Sequence, residues 1–187
     1  RWRPDFRRMS PYAQAIGWGF LGVAAFAPFS LWPLGMICWA GLYLLLRDAQ
    51  TKRRAAGIGF AFGLSQFLAG ISWVYVSMHD IGGMPMLLAL TATLLFAAYL
   101  ALYPMQASLS FRLCANGHST ALAPQHIGRP DAGLARPLLF AACWLLAEWL
   151  RGSVLTGFPW LNLGYTQAPP SPLAGYVTGA ELHVNGG

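Results

Sequence analysis

The sequence contains few charged residues and very few acidic ones. Of its 187 residues, 10% are Asp, Glu, Lys or Arg, and only six are Asp or Glu. A soluble domain carries about a quarter charged residues, because its surface must be hydrated. The hydrophobic fraction is 56%, with eight Trp and eleven Phe. This composition excludes an ordinary water-soluble globule and indicates a chain that is solvated by lipid.

Cysteine is scarce and follows no metal-binding or disulfide pattern. Cys38, Cys114 and Cys143 are the three cysteines, and none belongs to a CxxC pair. A zinc site or a disulfide framework needs clustered or paired thiols. We therefore expect no metal site and no cofactor. Cys38 and Cys143 lie in apolar segments, which predicts that they are buried, unreactive thiols.

The chain also lacks an extended basic face, although its net charge is +6. Its Lys and Arg residues occur in short clusters between apolar segments. Proteins that bind nucleic acid carry basic patches or stripes that follow the phosphate backbone. We therefore predict no nucleic-acid partner.

Long apolar segments, separated by basic or Gly- and Pro-rich breaks, make up most of the chain. About 20 apolar residues in a helix cross the hydrocarbon core of a bilayer. The sequence therefore predicts an all-α, polytopic transmembrane bundle over residues 12–176, preceded by a basic N-terminal segment at residues 1–11. The predicted spans are about 12–29, 31–46, 55–78, 86–111 and 137–157.

The first two predicted spans are compatible with two arrangements. The second is short, and Pro28 and Pro33 lie at the bend between them, so the pair forms either a crossing hairpin or two segments that enter without crossing. The first segment also has the basic start and apolar core of a secretory signal, but Pro28 argues against cleavage after Ala27. Residues 115–136 are polar and without periodicity, which predicts a surface loop.

The basic residues predict the orientation of the bundle. If the spans alternate, eleven of the twelve Lys and Arg residues fall on one side, in residues 1–8, 47–54 and 112–136. The positive-inside rule makes this side cytoplasmic, with the N-terminus. The segment that follows the fifth span, from Arg151 onward, then faces the periplasm. A first hairpin that does not cross leaves this conclusion unchanged.

Glu148 is the residue that the composition alone singles out as a candidate for function. A carboxylate among Trp and Leu residues is costly in lipid unless it faces a partner or a wet cavity. Arg151 lies three residues further along and hence on the same helical face. The sequence allows two readings: an ion pair that anchors the helix at the interface, and a polar contact in a substrate cleft.

Two aromatic clusters are predicted to lie on the same outer side as Glu148. Residues 73–77 end the third span, and residues 156–165 form a broken stretch that contains Gly and Pro. Such clusters are typical of an interfacial aromatic belt, and they equally suit a cleft for a lipid. We expect no catalytic residue in the chain, and the predicted lipid or substrate contacts are Trp73, Tyr75, Glu148, Arg151, Phe158, Pro159, Trp160 and Asn162.

Several separate motifs, in order, resemble the apolipoprotein N-acyltransferases over about residues 17–176. The most specific run contains Glu148, Leu150-Arg151-Gly152, Thr156-Gly157-Phe158-Pro159-Trp160 and Gly164-Tyr165. Upstream matches are Ala27-Pro28-Phe29, Trp32-Pro33, Gly70, Trp73 to Ser77, Gly82 to Pro85 and Ala97 to Leu100.

The resemblance implies a multi-pass enzyme of the bacterial inner membrane whose functional face is periplasmic. Its substrates would be a phospholipid and an apolipoprotein, whose N-terminal diacylglyceryl-cysteine receives the acyl chain. The family transfers the chain through a thioester on a Cys of a nitrilase-like α/β domain, aided by a Glu and a Lys. That domain would follow residue 176, so we expect this chain alone to be inactive and to need the missing domain as a partner.

Residues 177–187 depart from the acyltransferase pattern and resemble the closing segment of short-chain dehydrogenases. No Rossmann motif or Tyr-xxx-Lys pair lies upstream, so dehydrogenase activity does not follow from this tail. The alternative to an acyltransferase is a non-enzymatic helical membrane protein, such as a transporter fragment or an assembly subunit. Transporters usually carry internal repeats and polar groups near the bilayer midplane, and the sequence shows no such repeat.

Overall fold

The structure is a computed structural model that describes residues 9–121 and 132–167, and within these ranges it contains helices and no strand. The all-α prediction is therefore confirmed for the part of the chain that the structure describes. Ser10 and Thr51 cap the helices that follow them through their hydroxyl groups. The helices are α1 (Pro11–Gly22), α2 (Trp32–Arg47), α3 (Lys52–Gly70), α4 (Ser72–Val76), α5 (Met86–Ala121) and α6 (Ala132–Ser153).

Two helical stretches are long and apolar enough to cross a membrane, Met86–Ala115 and Leu134–Thr156. Helix α3 and the segment Ser72–Ile81 are together long and apolar enough for a third crossing. They are bent by 50° at their junction, so they count as a crossing only if they form one broken span. Helices α1 and α2 have 12 and 16 residues and are shorter than a full crossing. Length and composition thus support two or three spans, and the five predicted crossings stay a prediction.

Helix α3 lies at the centre of the bundle, between α1 and α5. A Cβ atom on Gly59 would lie 2.5 Å from the carbonyl oxygen of Pro104, and one on Gly63 would lie 2.8 Å from Pro104 Cγ. Small residues at this spacing allow the backbones of two membrane helices to approach closely. Gly59 and Gly63 therefore allow α3 and α5 to pack closely.

Three aromatic rings join α2, α3 and α6 in the core. The ring of Trp39 packs edge-on against Phe62 at 5.3 Å and against Trp144 at 5.4 Å, and Phe62 and Trp144 are 6.0 Å apart, all between centroids. Each edge-to-face pair adds about 0.5–1.5 kcal/mol beyond the burial of its area. This cluster fixes α6, and therefore the residues that follow it, relative to α3.

The basic residues collect at one end of the bundle. Arg112 donates a hydrogen bond of 3.0 Å from Nη2 to the carbonyl oxygen of Gln50, and the rings of Phe111 and Phe140 lie 5.7 Å apart. The α2–α3 connection, the later part of α5 and the start of α6 therefore share this basic end. Its described basic residues are Arg47, Lys52, Arg53, Arg54, Arg112 and Arg136.

The opposite end, called the aromatic end, contains the α1–α2 turn, Gly70, Trp73 and the residues that follow α6. In the described ranges, Arg151 is the only Lys or Arg residue at this end. The charge asymmetry that the sequence predicts is therefore present among the described residues.

Two segments differ from the sequence-based boundaries or lie outside the structure. Helix α5 continues to Ala121 and α6 begins at Ala132, so the helices extend into the stretch predicted as a surface loop. Residues 122–131 and the atypical tail at 177–187 lie outside the described residues. Cys38 and Cys143 are buried, as predicted, whereas Cys114 is exposed.

Candidate functional site at the aromatic end

The chain reverses direction directly after α6. Leu155 and Thr156 have φ angles of 52° and 71°, and Gly157 follows with φ of 77°. A Cβ atom on Gly157 would collide with the carbonyl oxygen of Gly152, so glycine is required there. The Phe158 N–H then donates a hydrogen bond of 2.9 Å to the Arg151 carbonyl oxygen. This turn folds residues 158–163, called the 158–163 loop, back over the end of the bundle.

Glu148 holds this loop through a backbone hydrogen bond. Its Oε1 atom accepts hydrogen bonds from the Leu163 N–H at 2.7 Å and from Trp144 Nε1 at 2.9 Å. The side chain is only 12% exposed. Hydrogen bonds to a carboxylate are stronger than those between neutral groups, and burial strengthens them further. Glu148 therefore connects α6 to the far end of the loop.

Arg151 holds the same loop from the next helical turn. Its guanidinium donates a hydrogen bond from Nη2 to Asn162 Oδ1, and the same nitrogen lies 4.0 Å from Glu148 Oε1. The guanidinium carbon also lies 5.0 Å from the ring centroid of Phe67, in cation–π contact. The Arg151 side chain is 3% exposed. The two charges neutralise each other inside the protein and face the loop rather than open solvent.

The aromatic residues meet on the outer side of the loop. Trp160 donates from Nε1 to the Gly70 carbonyl oxygen at 3.1 Å, which anchors the loop to the end of α3. The Trp160 ring lies 5.7 Å from Trp73 and 6.3 Å from Phe158, centroid to centroid, and Phe158 lies 5.0 Å from Phe96 on α5. Trp73 and Trp160 remain 48% and 44% exposed, so they form an accessible aromatic pair.

Two of the predicted contact residues lie apart from these groups. Tyr75 packs against the ring of His79 at 5.4 Å. Pro159 is exposed, and its Cβ lies 3.9 Å from the position that a Cβ on Gly152 would take. The structure thus joins six of the eight predicted residues, as a buried polar set (Glu148, Arg151, Asn162) and an aromatic set (Trp73, Phe158, Trp160).

The sequence-based prediction did not include the apolar groove beneath the loop. This groove has a volume of about 530 Å³, and its floor includes Ala69, Gly70 and Leu161. Leu161 is buried against Gly70, where a Cβ atom would collide with the leucine side chain. The small residues were visible in the sequence, but their partner lies about 90 residues away along the chain.

The described residues contain no group of three or more His, Cys, Asp or Glu side chains that could hold a metal ion. The exposed rings of Trp73 and Trp160 and the apolar groove give the aromatic end a surface that suits apolar and aromatic groups. The buried side chains of Glu148 and Arg151 hold the 158–163 loop, which carries part of this surface.

Comparison with known proteins assigns the chain to a family. The family model described as the apolipoprotein N-acyltransferase N-terminal domain matches residues 18–180. The chain is 46% identical over 172 residues to apolipoprotein N-acyltransferase of Nitrosomonas europaea, covering 90% of this chain and 32% of that protein. It is 46% identical over 171 residues to that of Ralstonia nicotianae, covering 91% and 30%, and 43% identical over 179 residues to that of Vibrio cholerae, covering 94% and 32%.

The chain spans about a third of the length of these curated relatives. The match nevertheless includes almost all of the described helices and the complete 158–163 loop. The chain therefore belongs to the apolipoprotein N-acyltransferase N-terminal domain family.

Proposed function

We propose that this chain is the membrane portion of an enzyme that transfers an acyl chain from a phospholipid to the N-terminal diacylglyceryl-cysteine of an apolipoprotein, in lipoprotein maturation. The names of its relatives and its family membership support an acyltransferase. The observation that carries the assignment of a site is the exposed Trp73–Trp160 pair, next to a loop that the buried Glu148 and Arg151 hold in place. Neither the comparisons nor the described residues favour the alternative functions, a transporter fragment or an assembly subunit.

The proposed location is the bacterial inner membrane, with several crossings and the aromatic end in the periplasm. The separation of the basic end from the aromatic end supports this orientation. Trp and Tyr residues at the aromatic end suit the level of the lipid headgroups. The N-terminus would then be cytoplasmic.

The aromatic set contacts substrate in this proposal, whereas the polar set holds the loop in place. Trp73, Phe158 and Trp160 offer flat apolar surface to a lipid, and the exposed Pro159 and the nearby Tyr75 extend it. The Glu148 carboxylate binds the Leu163 N–H, and Arg151 binds the Asn162 side chain, so these residues act by fixing the loop. Of the two roles considered for Glu148, these contacts favour the structural anchor over a contact in a substrate cleft. Its partners are the loop and Arg151.

The acyl transfer itself is proposed to require a nitrilase-like domain, which the resemblance places outside residues 1–176. Cys38 and Cys143 are buried, and Cys114 follows Arg112 at the basic end, so none suits a nucleophile at the aromatic end. The isolated polypeptide is expected to form no hydroxylamine-sensitive acyl-protein with phospholipid. Detecting one would contradict this division of roles.

Replacing Trp73 or Trp160 with Ala, in a full-length protein that carries this segment, tests the aromatic site. Each ring is about half exposed, so a substrate that covers it loses about 1.5 kcal/mol of apolar contact, or roughly tenfold in kcat/KM. The measurement is the rate of N-acylation of a diacylglyceryl-cysteine peptide in phospholipid micelles.

Trp149→Ala is the matched control, because Trp149 is 64% exposed on α6 and lies outside the aromatic set. We expect it to retain the parent rate. Unchanged turnover in both site variants, or an equal loss in the control, would remove the site from the proposal.

A further inference from the structure

The groove beneath the 158–163 loop is a separate concave surface with its own lining. Its walls come from three distant segments: the α1–α2 turn at residues 23–29, the end of α3 at Ala69 and Gly70, and the residues Trp160, Leu161 and Tyr165. Its volume of about 530 Å³ lies within the ~300–1,000 Å³ that is usual for ligand sites.

The lining selects an apolar occupant. Val, Phe, Ala, Pro, Gly and Leu supply eight of the ten lining residues, and the indole N–H of Trp160 is already bonded to Gly70. With so few polar side chains in the lining, a polar ligand would lose more hydration than the groove replaces. Ordered water is disfavoured for the same reason, because it needs two to four polar partners. A hydrocarbon chain has no hydrogen bonds to lose on entering.

The position of the groove indicates where such a chain comes from. Its rim includes Phe29, which is 67% exposed, and the aromatic side chains Trp160 and Tyr165, which are 38–44% exposed. In a membrane-spanning bundle, apolar side chains this exposed at a helix end face lipid, and Trp and Tyr mark the headgroup level. The groove therefore opens at the depth where the acyl chains of membrane lipids begin.

We infer that this groove binds one acyl chain of a membrane glycerophospholipid. Trp160 belongs both to the groove and to the exposed aromatic pair, so a lipid held by its tail here has its headgroup next to Trp73. The inference rests on the proposed function, in that the chain spans a membrane and acts on phospholipid. It adds a specific tail site, formed largely by the α1–α2 turn.

Photocrosslinking in defined vesicles tests the site. The purified polypeptide is reconstituted in phosphatidylcholine vesicles containing phosphatidylethanolamine with a diazirine in one acyl chain, irradiated, and mapped by mass spectrometry. Labelling of Phe29 and Ala69 is expected to exceed that of the lipid-facing Leu145 and Trp149 at least about fivefold, the ratio given by a preference of about 1 kcal/mol.

Two filling variants and one control complete the experiment. Ala69→Phe and Ala27→Leu place larger side chains in the groove from two of its lining segments, and either is expected to reduce groove labelling about fivefold, to the level of the outer face of α6. The control is Gly17→Leu, in a separate surface groove of about 160 Å³ on α1, where a Cβ meets no atom within 4 Å. It should leave the labelling unchanged. Circular dichroism and thermal unfolding identify any variant that is not folded.

Equal labelling of the groove and the outer face of α6 would overturn the inference, because it would leave only annular lipid. Selective displacement of the label by a diacylglyceryl-cysteine peptide would also overturn the inference. It would show that the groove binds the diacylglyceryl group of the apolipoprotein and not a phospholipid. No acyl transfer is needed in this assay. A negative result therefore leaves the proposed acyltransferase function standing, and failure of that function leaves the labelling result interpretable.

Discussion

At the scale of single residues, Glu148 shows how a costly charge is made stable in an apolar helix. Its Oε1 accepts two N–H groups and lies 4.0 Å from the Arg151 guanidinium. Without the carboxylate, the Leu163 and Trp144 N–H groups would lose their acceptor and Arg151 would lose its counterion. Glu148 is therefore best understood as the point at which α6 holds the 158–163 loop.

Glu148→Ala is predicted to destabilise the bundle by about 3 kcal/mol. The change leaves two buried N–H donors without an acceptor and the Arg151 charge without its counterion, and each loss costs about 1–3 kcal/mol or more. Glu148→Gln keeps an acceptor for Leu163 and should lose about half as much. Unfolding in detergent micelles measures both.

Leu145→Ala is the control for these variants, since Leu145 is 69% exposed on the same helix. It should change stability little. A Glu148→Ala protein as stable as this control would contradict the role assigned to the carboxylate.

Gln66 is another buried polar residue, but unlike Glu148 it was not singled out by the sequence. It lies on α3, is 1% exposed, and neither its amide nitrogen nor its amide oxygen has a hydrogen-bond partner. We predict that Gln66→Leu raises the free energy of unfolding by about 1–3 kcal/mol, because a buried unsatisfied amide is replaced by an apolar group of similar size. The same detergent unfolding measures it.

Gln66→Glu is the informative counterpart. It has the same shape but places an unpaired carboxylate in the core, which should destabilise the bundle strongly. A loss of stability in Gln66→Leu would contradict this prediction, because it would show that the Gln66 amide is hydrogen-bonded in the folded bundle.

The candidate site could be predicted from sequence only in part. Glu148 and Arg151 stand out because charge is rare in apolar helices, and the aromatic residues stand out by type. Their arrangement did not follow, since Leu163 and Gly70 take part through backbone atoms, which any residue carries. The burial of Gln66 could not be recognised from the sequence, because a single uncharged amide side chain is common in helices.

At the scale of helices, the α3–α5 contact depends on residues that have no side chain. Gly59 and Gly63 lie against Pro104 with no space for a Cβ atom. Overpacking such a contact forces backbone movement and usually costs about 1–3 kcal/mol or more. The apolar length of the two helices does not compensate for this, because lipid solvates them equally well apart.

Gly63→Leu is predicted to separate α3 from α5 and to lower the unfolding temperature in detergent markedly, with a loss of at least about 2 kcal/mol. Gly17→Ala is the matched control, because a Cβ there meets no atom within 4 Å. It should be neutral or slightly stabilising, since Ala favours helix over Gly. Equal stability of the two variants would contradict the close packing.

The helices could be predicted where apolar runs are long, and their interruptions could not. The third predicted span, at 55–78, contains a bend of 50° after Gly70. Trp160 donates to the Gly70 carbonyl oxygen there, from a loop 90 residues further along the chain. A local sequence pattern cannot show such a bond. The first predicted span likewise ends its α-helix at Gly22, before Pro28.

At the scale of the whole molecule, most of the described basic residues and the exposed Trp73–Trp160 pair lie at opposite ends. Six described Lys and Arg residues lie at the basic end, and the buried Arg151 is the only described one at the other end. The positive-inside rule then orients every connection at once. The proposed periplasmic site, the proposed lipid site in the groove and the proposed position of a catalytic domain all depend on this orientation.

Cysteine labelling in intact cells tests this orientation most directly. With Cys38, Cys114 and Cys143 replaced, Gly164→Cys reports the aromatic end, where a Cβ meets no atom within 4 Å, and Arg53→Cys reports the exposed basic end. A membrane-impermeant maleimide is predicted to label Gly164→Cys in intact cells, and to label Arg53→Cys only after the membrane is permeabilised. Labelling of Arg53→Cys but not Gly164→Cys in intact cells would contradict the account.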